Sequence, residues 1–195
     1  MPKKSIGFIT LVFLVGFLSL VFVSQSEAQE QSLTKIADSK YFEIYAFSQS
    51  DVYEILKKID FFSLQPEQIL DPQSDNVNRS LSNVIDAVYL ETSDILDIHS
   101  YNFRGKIKFL PNAQSVESIF SKYSGYRMHE RSFYFFDKNT IYISLEDTTL
   151  GMLGHEIAHA IISHYFVVPP STKVQEVLCG YVDYNLKKSS GRLSK

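Results

Sequence analysis

From Leu150 to Ile162 almost every residue is apolar or small, so a helix built from this run presents hydrocarbon in nearly every direction. Inside it lie His155, Glu156 and His159. A helix that is apolar all round belongs in a protein interior, where two imidazoles and a carboxylate are costly unless something binds them. The run therefore calls for a surrounding core and for a partner to its three polar groups. The alternative is a surface helix carrying two ordinary histidines. Leu150, Met152, Leu153, Ile157, Ala158, Ala160, Ile161 and Ile162 around its circumference argue against that. Asp147, Thr148 and Thr149 supply N-cap candidates, with the helix expected to start near residue 149, and Pro169 with Pro170 stops it by residue 168.

The order His-Glu-x-x-His gives the polar groups a specific chemistry. Residues four apart share a helix face about one turn apart, so His155 and His159 can hold one Zn²⁺ at roughly 2.0 to 2.1 Å. Glu156 then stands beside the metal, where it can act as general base toward a water whose pKa the metal has lowered to about 7. A catalytic zinc needs a third protein ligand. The chain leaves the first helix, turns through two prolines and re-enters a helix at Thr172, whose Thr172-Lys173-Val174-Gln175 start has a capping-box pattern. Running back alongside, that helix offers Glu176 as third ligand, against the alternative of an acid complementing the helix dipole. Gly180, four residues on, is expected to let the helices approach closely. His164 is rotated about 140° off the metal face and is expected at the rim or behind the ligands. Asp183 lies roughly 10 Å along the helix from Glu176, either orienting a ligand histidine or solvated at the surface.

Around this pair of helices the chain has 195 residues, 45% of them hydrophobic, and a net charge of -3, enough for one domain with its own core. No basic cluster outside the termini supports a nucleic-acid partner. The single Cys179 rules out an intrachain disulfide and, on the count, a thiolate zinc site, so it reads as a small core residue.

Residues 1–28 form a targeting segment: Lys3 and Lys4, an apolar run over 6–23, then Ser26-Glu27-Ala28. An 18-residue run is long for a signal peptide, so a retained membrane anchor is the alternative. The protein is exported in either case, periplasmic or secreted, or anchored to the inner membrane through this segment alone. A polar linker over 29–39 leads to the domain at 40–188, and 189–195 is a disordered basic tail. Within the domain, strands are expected over 40–47, 107–110, 131–136 and 140–145, the last two joined by a tight turn at Asp137-Lys138-Asn139. Helices are expected over 50–60, 76–97, 115–123 and from residue 172 to about 187.

With His155, Glu156, His159 and Glu176 in place, the chain resembles the zincin metallopeptidases of the gluzincin type, in a minimal peptidase MA-like form. The match covers these residues, the strand over 139–145 and the helix over 176–184, about a quarter of the chain. It differs from metzincins, because Ile162 and Tyr165 stand where a Gly and a His would be required. The resemblance implies an α+β domain, with a short mixed sheet packed on the active helix and on further helices. It also implies one Zn²⁺ and hydrolysis of peptide bonds in peptides or unfolded protein segments. Thr140, Ile141, Tyr142, Ile143 and Ser144 would form the strand at the lip of the cleft that holds substrate by β-augmentation. The oxyanion donor is open among Tyr181, Tyr165, His164 and His129. Two further readings are a zinc- or partner-binding envelope protein without turnover, and an anchored envelope protein with an incidental motif. The intact Glu156 favours the enzyme, since a pure metal binder needs no base there.

Overall fold

The computed structural model describes residues 30–59, 77–127 and 129–189. Strands form where β-branched and aromatic residues alternate or run together. They are β1 (Thr34–Asp38), β2 (Phe42–Ala46), β3 (Gly105–Leu110), β4 (Ser132–Phe135) and β5 (Thr140–Ser144). The helices are α1 (Ser50–Ile59), α2 (Val77–Leu96), α3 (Ala113–Ser124), α4 (Leu150–Tyr165) and α5 (Thr172–Ser189). The sheet order is β1-β2-β3-β5-β4, with β2, β3 and β5 mutually parallel and an antiparallel strand at each edge. This is the α+β class with a mixed sheet.

Strand parity divides the side chains between two layers. Ile107, Phe109, Ile141 and Ile143 face the main core with Leu81, Val84, Ile85 and Val88 of α2 and with Leu153, Ile157 and Ile161 of α4. Leu110, Phe133 and Tyr142 point the other way, onto Val116 and Ile119 of α3. Each fully buried aliphatic side chain contributes about 1.5 to 3 kcal/mol, so the all-round apolar character of α4 is used on every side it buries.

The segment expected to be a linker is structured. Thr34–Asp38 is edge strand β1, and Glu30 accepts hydrogen bonds from Lys108 Nζ (2.7 Å), Tyr123 OH (2.7 Å) and Tyr142 OH (2.8 Å). Its polar composition hid a short edge strand that needs only one buried face. Burial alone would raise the Glu30 carboxyl, but these three partners outweigh it and hold it down at about 2. The targeting segment and residues 190–195 lie outside the described residues, and among the described residues no helix is long and apolar enough to cross a membrane.

The strand expected at the cleft edge lies inside the sheet. Thr140 to Ser144 form β5, which is paired on both sides and buried throughout. The free edge beside the active helix is β4, because the hairpin turns β4 outward and β5 inward. That hairpin closes as expected, through a 3₁₀ turn at Phe136–Lys138 and Asn139 in the left-handed region (φ 46°), a conformation asparagine tolerates.

The close approach of α4 and α5 comes from α4. A Cβ on Gly154 would lie 2.1 Å from Leu186 Cδ1, and one on Gly151 would lie 1.9 Å from Asp183 Oδ1. Gly180, expected to open this gap, has nothing within 4 Å of such a Cβ. It is turned away from α4, about 100° around α5 from the buried Cys179.

Candidate metal centre

Thr149 caps α4, its hydroxyl accepting from the Met152 amide at 3.2 Å, and the helix ends at Tyr165, three residues earlier than the prolines alone require. His155 and His159 emerge on the side facing α5, with ring centroids 5.0 Å apart. Across from them Glu176 places Oε2 3.4 Å from His155 Nε2 and Oε1 3.3 Å from His159 Nε2. A charge-assisted hydrogen bond would draw in to about 2.7 to 2.9 Å. Donor atoms on one four-coordinate ion, with bonds of about 2.0 to 2.1 Å, stand roughly 3.4 Å apart. The spacing thus fits shared metal ligands better than a relaxed ion pair.

The imidazoles are suited to that role. Burial lowers the His155 pKa, the neighbouring His159 lowers it further, and Glu176 and Asp183 only partly oppose this, which favours the neutral, metal-binding form. His159 is oriented from behind. Gln175 Nε2 donates to the Pro170 carbonyl at 2.9 Å, turning Oε1 toward His159 Nδ1 at 3.4 Å. Nδ1 then carries the proton and Nε2 is left for a metal. The expected capping box is therefore not made, because Gln175 is drawn to Pro170 and His159.

Glu156 is buried (5% exposed) and its carboxylate faces β4. Ser132 Oγ donates to Oε1 at 2.7 Å and the Tyr134 main chain donates as well. Burial dominates, pushing the acid up to about 8, with Glu176 and Glu130 adding to the rise and the two hydrogen bonds opposing it. The group is poised to exchange a proton near neutrality, as a general base must be. Glu130 is itself raised by burial and by Glu176, so three carboxyl groups share one neighbourhood.

The other candidates separate. Asp183 is half-buried, not solvated: Oδ2 takes Lys187 Nζ at 2.7 Å, while Oδ1 is buried without a hydrogen-bond partner and its field reaches His155. His164 bonds Tyr134 OH at 2.8 Å and packs edge-on to Phe103. Tyr165 is half-exposed and packs on Phe166. Tyr181 is 56% exposed on the far side of α5, about 200° from Cys179, so it does not meet the imidazoles. His129 is 94% exposed and bonds Glu117. Among these four oxyanion candidates, Tyr181 is turned away from the imidazoles.

Sequence reasoning missed three residues. Gln175 directly precedes Glu176, and Cys179 is one turn beyond it on the same face, so helical spacing could have flagged both. Ser132 carried no signal, since its partner lies on another element. Cys179 is fully buried, as expected of a core residue. Its thiol nonetheless joins the imidazoles: single ligand atoms of His155, His159 and Cys179 all lie within 4.8 Å of one another. Glu176 instead gives a different oxygen to each ring. Its contacts, at 3.3 and 3.4 Å, are the closer of the two.

Compared with family models, with curated proteins and with solved structures, the chain matches none.

Proposed function

We propose that the chain is an exported zinc metallopeptidase of gluzincin character that hydrolyses peptide bonds in peptides or unfolded protein segments. The observation that carries this reading is the Glu176 carboxylate spanning the Nε2 atoms of His155 and His159 at 3.4 and 3.3 Å, with Glu156 buried alongside. His155, His159 and Glu176 would hold the ion. When bound, it supplies Lewis-acid polarisation of the scissile carbonyl and lowers the pKa of water to about 7.

The chain's own residues do the rest. Ser132 and the Tyr134 amide fix the Glu156 carboxyl so that it takes a proton from the attacking water and returns it to the leaving amine. Gln175 keeps His159 in the metal-binding tautomer. Among the described residues no strand pairs with the outer side of β4, which offers an extended peptide the backbone groups that Glu156 does not take. Export rests on Lys3, Lys4, the apolar run over 6–23 and Ser26-Glu27-Ala28.

The test is cleavage of an unfolded protein by zinc-loaded protein beside Glu156→Gln. Zinc is expected in both proteins, with the variant cleaving more slowly by roughly 10² to 10⁴. Stoichiometric zinc without cleavage by the wild type would assign the site to binding instead.

A further inference from the structure

Among the described residues one group of three or more His, Cys, Asp or Glu side chains brings single ligand atoms within 4.8 Å of one another, and its third member is Cys179. We propose that the Cys179 thiol is a ligand of the metal ion held by His155 and His159, entering from the buried side of the pair. The inference rests on reading those imidazoles as a metal site.

Three features support it. Cys179 follows Glu176 by three residues on α5, so the backbone carries both toward the same face of α4. Burial differs sharply: Cys179 is fully buried, whereas the Glu176 side chain is 53% exposed. The thiol is thus held in place by packing, and the carboxylate reaches in from solvent. Finally, a nitrogen and a sulfur on one tetrahedral zinc, at about 2.0 and 2.3 Å, stand roughly 3.5 Å apart. The ligand atoms of His155, His159 and Cys179 already lie within 4.8 Å of one another before any ion draws them in.

Ligation exchanges the S–H bond for a sulfur–metal bond, the proton leaving to solvent with no change in oxidation state. It also changes how the site opens. Two imidazoles, a carboxylate and a thiolate fill a tetrahedral shell, so water or substrate gains a position only when one protein ligand withdraws. Glu176 has the room to withdraw and Cys179 has none. The resting site is therefore closed, and the Glu176 carboxylate is its exchangeable member.

Cobalt(II) substitution of the full chain tests this without reference to activity. The expected wild type binds one Co²⁺ with visible ligand-field bands and a thiolate-to-cobalt charge-transfer band in the near ultraviolet, and Cys179→Ser keeps the visible bands and loses the charge-transfer band. One bound Co²⁺ with no charge-transfer band in the wild type would overturn the thiolate while leaving the histidine–glutamate site standing. No stoichiometric Co²⁺ would overturn both. X-ray absorption of zinc-loaded wild type gives the same decision should the variant fail to fold: a sulfur shell at about 2.3 Å supports the proposal, and nitrogen and oxygen shells alone at about 2.0 to 2.2 Å refute it.

Discussion

Replacing Glu156 with Gln should make the metal-free protein more stable at alkaline pH, although it removes the proposed base. Burial pushes this acid from 4.5 up to about 8. The native state therefore binds a proton that the unfolded chain has already released. The sign follows: the contribution is complete below pH 4.5 and is lost as pH rises through 8. At about 1.4 kcal/mol per pH unit for one proton, Glu156 should cost the metal-free wild type about 3 to 4 kcal/mol between pH 5 and pH 8. The amide of Glu156→Gln keeps an acceptor for Ser132 Oγ and the Tyr134 amide and cannot ionise. Urea unfolding in chelator at pH 5, 6.5 and 8 measures the difference. The variant should equal the wild type near pH 5 and exceed it by a few kcal/mol at pH 8. Parallel stability curves, or a variant weaker at pH 8, would mean that the carboxyl is solvated and the buried setting of the site is wrong.

Gln175→Leu should leave the fold intact and weaken zinc binding about 10- to 100-fold, read by competition with a chromophoric chelator, because His159 loses the partner that fixes its tautomer. Gly154→Val should cost about 1 to 3 kcal/mol in chemical denaturation, since its side chain meets Leu186, and pairing it with Leu186→Ala should recover part of the loss. Glu30→Gln should cost about 3 kcal/mol at pH 7 and almost nothing at pH 2. The Glu30 carboxyl is held at about 2, and its contribution is present above pH 4.5 and lost as pH falls through 2.

What could be read in the sequence followed from periodicity and local chemistry. The apolar run around His155 fixed α4 and its burial, the two prolines fixed the turn, and the spacing of His155, His159 and Glu176 anticipated three side chains that the fold brings together. What could not be read depends on which elements become neighbours. β1 looked like linker because an edge strand buries only one side. β5 was placed at the lip of the cleft because strand order in a mixed sheet leaves no local trace, and the hairpin put β4 outside it. Gly180 looked like the gap between helices, while Gly151 and Gly154 make it, because a glycine matters only on the face that is turned inward. Ser132, the partner of Glu156, is one serine among many until α4 lies against β4.

The most direct measurement is anomalous scattering at the zinc edge from crystals grown with zinc. The account predicts one strong peak between α4 and α5, about 2.0 to 2.2 Å from His155 Nε2, His159 Nε2 and a Glu176 oxygen. A peak that leaves either imidazole unligated, or none at this place, would contradict it.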